Sequence, residues 1–124
     1  MIKLIYCVRR LPELSREEFQ RYWRETHGPM VRDRAETLGI KRYVQVHTLE
    51  SPLNEAMRAS RGSDGEIYDG VAELWWESAE ALAAGSSTEE GRQAAQELRK
   101  DERRFIDFGR SVMFVAEENP VVAG

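Results

Sequence analysis

Several features that would assign a protein to a broad class are scarce in this sequence. Cysteine occurs once, at Cys7, so no disulfide can form within the chain. Basic residues are not in excess, because 18 lysines and arginines stand against 22 acidic residues and give a formal net charge of −4. The arginines are scattered among Asp and Glu, and we therefore expect no nucleic-acid partner. No apolar run is long enough to predict a membrane span.

Motifs for common cofactors are also missing. The sequence contains no G-x-G-x-x-G after a strand, no G-x-x-x-x-G-K-[ST], no C-x-x-C and no H-E-x-x-H. The amino end runs directly into a strand pattern, without the charged and apolar regions of a signal peptide. We therefore expect a cytoplasmic protein that works without a cofactor or a metal.

The composition that remains is that of one globular domain. The chain has 124 residues, of which 41% are apolar and 32% are charged. This length leaves no room for two independent cores, and the apolar content is too high for disorder. We predict a single domain over residues 1–118 and a loose tail over residues 119–124.

Alternation and capping patterns predict the order of the helices and strands. Alternating apolar residues predict strands over 2–9, 40–49, 68–77 and 110–117. Ser15 and Glu18 form a capping box that opens a helix, which must bend or restart at His27-Gly28-Pro29. Shorter helices are predicted after Ser51 and Ser78, and a longer one after a second capping box at Ser87.

This order is β-α-β-β-α-β, which is typical of a ferredoxin-like antiparallel sheet with helices on one face and places the protein in the α+β class. Residues 51–67 are longer than a hairpin needs and are interpreted as a lid or a flap that contacts a partner. Trp75 and Trp76 are adjacent in a strand and must point to opposite faces of the sheet. Because both faces then need covering, we expect a homodimer in which two sheets face each other as a dimeric α/β barrel.

Alternation also sorts the residues that could carry chemistry. Tyr43, Gln45 and His47 share one face of the second strand. Asp69, Glu73 and Trp75 share one face of the third strand. Aromatic rings beside a few polar groups are typical of a small-molecule pocket, and we predict that both sets line the same enclosed pocket. The alternative is a solvated face.

Three blocks of residues resemble the signature of EthD-domain proteins. They are Phe19-x-x-Tyr22-Trp23-x-x-x-His27-Gly28-Pro29, Tyr43-x-Gln45-x-His47 and Asp69-Gly70-x-x-Glu73-Leu-Trp75, in the family order. The resemblance implies a dimeric α/β barrel. It also implies a link to oxidoreductases of ether degradation, or to dehydration or decarboxylation of aromatic polyketide intermediates. Neighbouring families include muconolactone isomerases, polyketide cyclases and cofactorless monooxygenases, so the resemblance alone does not select a reaction.

The hypothesis from the sequence is proton abstraction next to a carbonyl of an aromatic or polyketide-like molecule, followed by dehydration, decarboxylation or isomerisation. In this hypothesis His47 or His27 is the base, Tyr43 donates to the carbonyl, and Glu73 or Asp69 holds a histidine tautomer. These residues also have structural interpretations. His27 could cap a helix end, Asp69 could belong to a turn, and Glu73 could pair with an arginine.

The remaining candidates are binding residues. Gln45 would orient the ligand, and Trp75 and Trp23 would form aromatic walls, although Trp23 at helical spacing is also typical of a core residue. The main alternative function is a noncatalytic carrier of a hydrophobic metabolite for a partner monooxygenase. A metal site made of both histidines with Asp69 or Glu73, and haem binding through one histidine, also remain open.

Overall fold

The computed structural model describes residues 1–122 and confirms the predicted α+β fold. All strands belong to one antiparallel sheet of order β2-β3-β1-β4, which is the ferredoxin-like order. The strands are β1 (Ile2–Val8), β2 (Arg42–His47), β3 (Gly70–Trp76) and β4 (Val112–Glu117). Each is slightly shorter than its predicted range. Of the predicted tail, residues 123 and 124 lie outside the described residues.

The first helical segment begins where the sequence predicts. Helix α1 (Arg16–Tyr22) opens with the predicted capping box, in which the Ser15 hydroxyl accepts from the Glu18 amide at 3.0 Å and the Glu18 carboxylate accepts from the Ser15 amide at 2.9 Å. The chain continues through a π turn (Trp23–His27) into α2 (Gly28–Leu38), which ends at Gly39 in the left-handed conformation.

The π turn explains how a helix passes Gly28-Pro29. A proline normally pushes the residue before it out of the right-handed helical region, but Gly28 stays in that region, with φ −52° and ψ −51°. Gly28 lacks a Cβ, which relieves the clash that a residue before proline normally suffers. Its amide donates to the carbonyl of Trp23, five residues earlier.

The other helices lie near their predicted positions. They are α3 (Pro52–Ser60), α4 (Ala79–Gly85) and α5 (Glu89–Glu102), followed by a short 3₁₀ turn (Phe108–Arg110). The cap of α5 is Thr88, which accepts from the Gly91 amide at 2.9 Å, and not the expected Ser87. Phe105 is fully buried just beyond the end of this helix. Among residues 1–122 no helix has the length and apolar character needed to cross a membrane.

The pairing of β2 with β3 corrects the central prediction about the pocket. Tyr43 pairs with Leu74, and His47 pairs with Gly70, whereas Glu73 pairs with Val44. Residues directly opposite in an antiparallel sheet project from the same face. The side chains at 43, 45 and 47 therefore lie on the face opposite to those at 73 and 75, and the prediction that they share one pocket was wrong. The apolar residues at 44, 46, 72, 74 and 76 are divided between the two faces for the same reason.

One face of the sheet, here called the helix face, packs against α1, the π turn, α2 and α5. Its core consists of buried apolar residues from these elements and from the segment after α5: Val8, Phe19, Trp23, Val31, Leu38, Ala72, Ala94, Leu98, Phe105 and Ile106. Trp76 lies on this face and its indole N–H donates to the Leu38 carbonyl at 2.8 Å.

On the opposite face, here called the open face, no helix among residues 1–122 covers Val46, Val112 and Phe114, which are about half-exposed. Trp75 is nevertheless buried, because its ring lies 4.5 Å from the Lys3 ammonium and 4.7 Å from the Arg42 guanidinium. Its indole N–H donates to Glu118 at 3.2 Å. A second protein surface is therefore not needed to cover Trp75, which removes this residue as an argument for a dimer.

Candidate active site

A cavity of about 380 Å³ lies between the helix face of the sheet and the helices. Its wall is largely apolar and includes Trp23, Leu74 and Trp76. Among its polar residues are two tyrosines, a histidine and a glutamate that come from four different elements: Tyr6, His27, Tyr43 and Glu102. An apolar cavity with a few convergent polar groups is the usual form of a site for a small molecule.

His27, the last residue of the π turn, is held by Asp101 of α5. The distance between His27 Nδ1 and the Asp101 carboxylate is 2.8 Å, and both side chains are buried. Asp101 also accepts from the Tyr22 hydroxyl at 2.6 Å and from Arg104 at 3.1 Å. Because an ionised carboxylate can only accept, Nδ1 carries the proton and Nε2 keeps its lone pair. His27 does not cap the helix, which was the structural alternative, and it lines the cavity.

The pKa values of this pair favour a neutral imidazole beside an ionised carboxylate. Burial lowers the pKa of His27, and the nearby Asp101 opposes this shift only in part. Burial acts to raise the pKa of Asp101, but hydrogen bonds from Tyr22 and His27 outweigh it and hold that pKa below its usual value. At neutral pH His27 can therefore accept a proton through Nε2.

Glu102 is the acidic residue that lines the cavity. Burial raises the pKa of Glu102 to about 7, and a hydrogen bond from Tyr6 offsets this shift in part. Burial also raises the pKa of Tyr6, with a further contribution from the charge of Glu102. A carboxyl group with a pKa near neutrality can both give and take a proton under physiological conditions.

Tyr43 enters the cavity from β2 and is oriented by Gln45. The Gln45 amide nitrogen donates to the Tyr43 hydroxyl and to the Trp23 carbonyl, each at 2.9 Å. The Tyr43 hydroxyl has no acceptor of its own among residues 1–122, so its proton is free for a ligand. Burial raises the pKa of Tyr43 to about 12, which keeps this hydroxyl a donor. The close approach of Gln45 depends on Gly28, where an added Cβ would lie 3.1 Å from the amide nitrogen.

His47 lies behind the cavity wall and not in the cavity. Its ring packs on Trp23, with ring centroids 4.6 Å apart, and its Nε2 is 2.9 Å from the Gln45 side-chain oxygen. Since the Gln45 nitrogen faces two acceptors, its oxygen must accept from His47 Nε2–H. Burial, followed by the charge of Arg24, lowers the pKa of His47. This arrangement makes His47 a residue that positions Gln45.

Asp69, Glu73 and Trp75 do not reach the cavity. Asp69 is buried just before β3, where it accepts from Arg10 Nη1 at 2.5 Å, from the Arg10 amide at 2.8 Å and from Arg16 at 2.9 Å. Glu73 lies on the open face, 2.5 Å from the Lys3 ammonium, and does not pair with an arginine as we considered. The structure thus brings together only His27, Tyr43 and Trp23 of the predicted site residues, with Gln45 and His47 as supports.

Three residues of the site, Tyr6, Asp101 and Glu102, were not among the sequence candidates. A signal for two of them was present. Ala94, Leu98 and the buried Phe105 continue one stripe along α5 and past its end, and positions 101 and 102 fall within this stripe. Acidic residues inside an apolar stripe indicate burial for a purpose other than packing.

The metal site considered from the sequence is not assembled. The two histidines have different partners, Asp101 and Gln45, and Asp69 is engaged by arginines. Within the described part of the chain, no three His, Cys, Asp or Glu side chains are grouped so that they could hold a metal ion.

The fold is that of a ferredoxin-like domain of the dimeric α/β-barrel type, with a largely apolar cavity under its helices. Residues 11–109 match the EthD domain, and the chain therefore belongs to the EthD domain family. No curated protein matches the chain.

Several solved structures share this fold. An EthD family protein from Bacillus halodurans has a TM-score of 0.63 and 21% identity, covering 96% of this chain and 99% of its own. A dimeric ferredoxin-like protein of unknown function from Bacteroides fragilis has a TM-score of 0.59 and 10% identity, covering 94% and 95%. An EthD-like protein from Ralstonia eutropha has a TM-score of 0.58 and 16% identity, covering 94% and 90%.

Proposed function

We propose that this protein is a cofactor-free enzyme that moves protons on a carbonyl-containing, largely hydrophobic molecule held in the cavity. The observation that carries the proposal is the presence of two complementary proton-transfer groups, neutral His27 and the near-neutral acid Glu102, in one apolar cavity. Titratable groups whose environments move their pKa values toward neutrality are typical of acid and base pairs in enzymes.

In the proposed mechanism the substrate carbonyl accepts a hydrogen bond from Tyr43. His27 Nε2 removes a proton from the adjacent carbon, and the electron pair moves onto the carbonyl oxygen to give an enolate that Tyr43 stabilises. The enolate then re-forms the carbonyl. In a dehydration, a hydroxyl on the next carbon takes the proton of Glu102 and leaves as water. In an isomerisation, Glu102 instead protonates a more distant carbon, and the double bond shifts. Asp101 stabilises the imidazolium that forms in the first step.

The first step can be tested without the natural substrate. We expect the protein to accelerate exchange of the protons next to the carbonyl of 2-tetralone in D₂O at neutral pD, measured by proton NMR. His27→Gln should slow this exchange at least about 100-fold, the lower range for general acid–base catalysis, whereas Glu102→Gln should slow it far less because Glu102 acts only after the enolate has formed. His47→Gln is the matched control, and its effect should be smaller because His47 only supports Gln45.

Binding of 2-naphthamide, followed by tryptophan fluorescence, separates the two candidate functions. The apolar wall of the cavity would also suit a carrier of a hydrophobic metabolite for a partner oxygenase, which is the rival proposal. Tight binding of the amide with no exchange of 2-tetralone would favour the carrier. Exchange that persists in His27→Gln would refute the assignment of His27 as the base.

We also propose that the chain forms a homodimer through the open face. The support is an apolar patch on that face, where Phe114 is 48% exposed, Val112 is 50% exposed and Val46 is 43% exposed. A two-fold related copy offers a matching apolar surface, and apolar patches of this kind are typical of interfaces.

A charge in this patch should dissociate the dimer. We expect Phe114→Glu to weaken dimerisation more than about tenfold, since burying an unpaired carboxylate is unfavourable. Val115→Glu is the control, because Val115 is at least as accessible on the same strand but projects from the helix face. Native mass spectrometry and sedimentation would show the change, and equal behaviour of the two variants would contradict an interface on this face.

A further inference from the structure

A second cavity, of about 430 Å³, lies at the outer edge of β2 beside the first turns of α2. Cationic side chains dominate the polar part of its lining, which contains no acidic residue: Arg24, Arg32, Lys41 and Arg42. This grouping contrasts with the chain as a whole, which carries a net charge of −4. A concave surface lined by one sign of charge attracts ions of the opposite sign more strongly than a flat surface does.

These cations are not committed to carboxylates elsewhere in the protein. Arg24 and Lys41 form no ion pair with any side chain within residues 1–122, whereas the Arg42 guanidinium lies over the Trp75 ring on the open face. Arg32 has one contact, with Asp33 at 3.9 Å, and both side chains are mostly exposed. A surface pair at this distance contributes little to stability, so Arg32 can turn to a ligand at low cost.

The basic cavity adjoins the candidate active site. Ile40 and Tyr43 line both cavities, which therefore share part of a wall. Gln45, which orients the Tyr43 hydroxyl, also lines the basic cavity. A ligand whose apolar body occupies the first cavity would therefore have the second cavity directly beside one of its ends.

We propose that the basic cavity binds the anionic group, a carboxylate or a phosphate, of a ligand whose hydrophobic body lies in the first cavity. Arginine and lysine side chains are suited to both groups, because guanidinium can bind their oxygens in pairs and ammonium neutralises them as a point charge. The proposal rests on the proposed function in one respect, namely that the first cavity holds the ligand body. It restricts the substrate class to amphipathic acids.

Matched aromatic probes test this assignment. 2-Naphthoate and 2-naphthyl phosphate carry the two candidate anionic groups, and 2-naphthamide is the neutral counterpart. We expect at least one anion to bind the wild type about tenfold more tightly than the amide, as a charge-assisted hydrogen bond would give. The double variant Arg32→Gln/Lys41→Gln should reduce this preference to within about twofold and leave amide binding unchanged.

The double variant Arg21→Gln/Lys100→Gln serves as the control, since it removes the same charge from exposed positions outside the basic cavity. It should retain the preference for the anion. Equal affinity of the anions and the amide for the wild type, or a preference that survives in Arg32→Gln/Lys41→Gln, would overturn the proposal.

Pyrophosphate alone distinguishes failure of the anion site from failure of the proposed function. If none of the naphthyl probes binds but pyrophosphate binds the wild type and not Arg32→Gln/Lys41→Gln, the anion site stands and the first cavity is not the site of the ligand body. If pyrophosphate also fails to bind, the basic cavity is not an anion site. NMR amide shifts of residues around β2 report either result.

Discussion

Replacing Asp101 by asparagine is expected to lower the free energy of unfolding by about 3 kcal/mol at pH 7 and to change the tautomer of His27. Asp101 is 2% exposed and accepts hydrogen bonds from His27, Tyr22 and Arg104. Asparagine has one acceptor oxygen and one donor nitrogen on this side chain, so it cannot satisfy all three donors. If its nitrogen faces His27, the proton of the imidazole must move to Nε2, and His27 can no longer act as a base toward the cavity.

Arg104→Gln is the matched control for this variant. It removes the one partner of Asp101 that is mostly exposed, and exposed ion pairs contribute at most about 1 kcal/mol. Urea unfolding gives the stability of both variants, and nitrogen NMR of the imidazole reports which nitrogen of His27 is protonated. A small stability loss in Asp101→Asn with Nδ1 still protonated would show that the carboxylate does not hold His27.

Glu102→Gln is expected to make the protein more stable than the wild type at pH 8 but not at pH 4. The pKa of Glu102 rises from 4.5 to about 7 in the folded protein. Below pH 4.5 the carboxyl group is protonated in both the folded and the unfolded protein, so its burial does not lower the free energy of unfolding through ionisation. Between pH 4.5 and 7 the unfolded chain ionises first, so stability falls as the pH rises, and above pH 7 the penalty is constant. The loss in the free energy of unfolding is at most about 3 kcal/mol.

The measured quantity is the difference in unfolding free energy between wild type and variant from pH 4 to pH 8.5. The difference is needed because His27 and His47 also titrate in this range and have lowered pKa values, so their contributions are lost as the pH falls below about 6.5. Glu13→Gln, which removes the same charge from an exposed position without an ion pair in the described residues, is the matched control. A pH-independent difference for Glu102→Gln would contradict a buried acid of near-neutral pKa.

Much of the fold could be predicted from the sequence, because alternation and caps are local. The faces of each strand were also assigned correctly when the strand was considered alone. The pairing of β2 with β3 was not predictable in this way, because the intervening residues 51–67 are too long to fix the register as a tight hairpin would. A shift of one residue in the pairing moves every side chain of a strand to the other face of the sheet. We assumed the shifted pairing and therefore placed Glu73 and Trp75 in the pocket, although they lie on the opposite face.

The candidate site was predictable only in part, for a different physical reason. His27 could be selected because a histidine stands at the break before Gly28 and Pro29. Tyr43 could be selected because it alternates with other polar residues along one face of a strand. The partner of His27 is 74 residues away in sequence, and only the packing of α5 on the π turn brings Asp101 to it. The raised pKa of Glu102 likewise depends on burial, which no local pattern measures.

The π turn also constrains how this chain can vary in length. It places one residue more in its turn than an α-helix would, and each residue of a helix advances the side chains by about 100°. A deletion between positions 24 and 26 would restore regular geometry, but it would turn either His27 away from Asp101 or Val31 and Leu38 out of the core. Substitutions in this turn are therefore easier to accommodate than insertions or deletions. Relatives that keep the His27–Asp101 pair should keep the same number of residues in the turn.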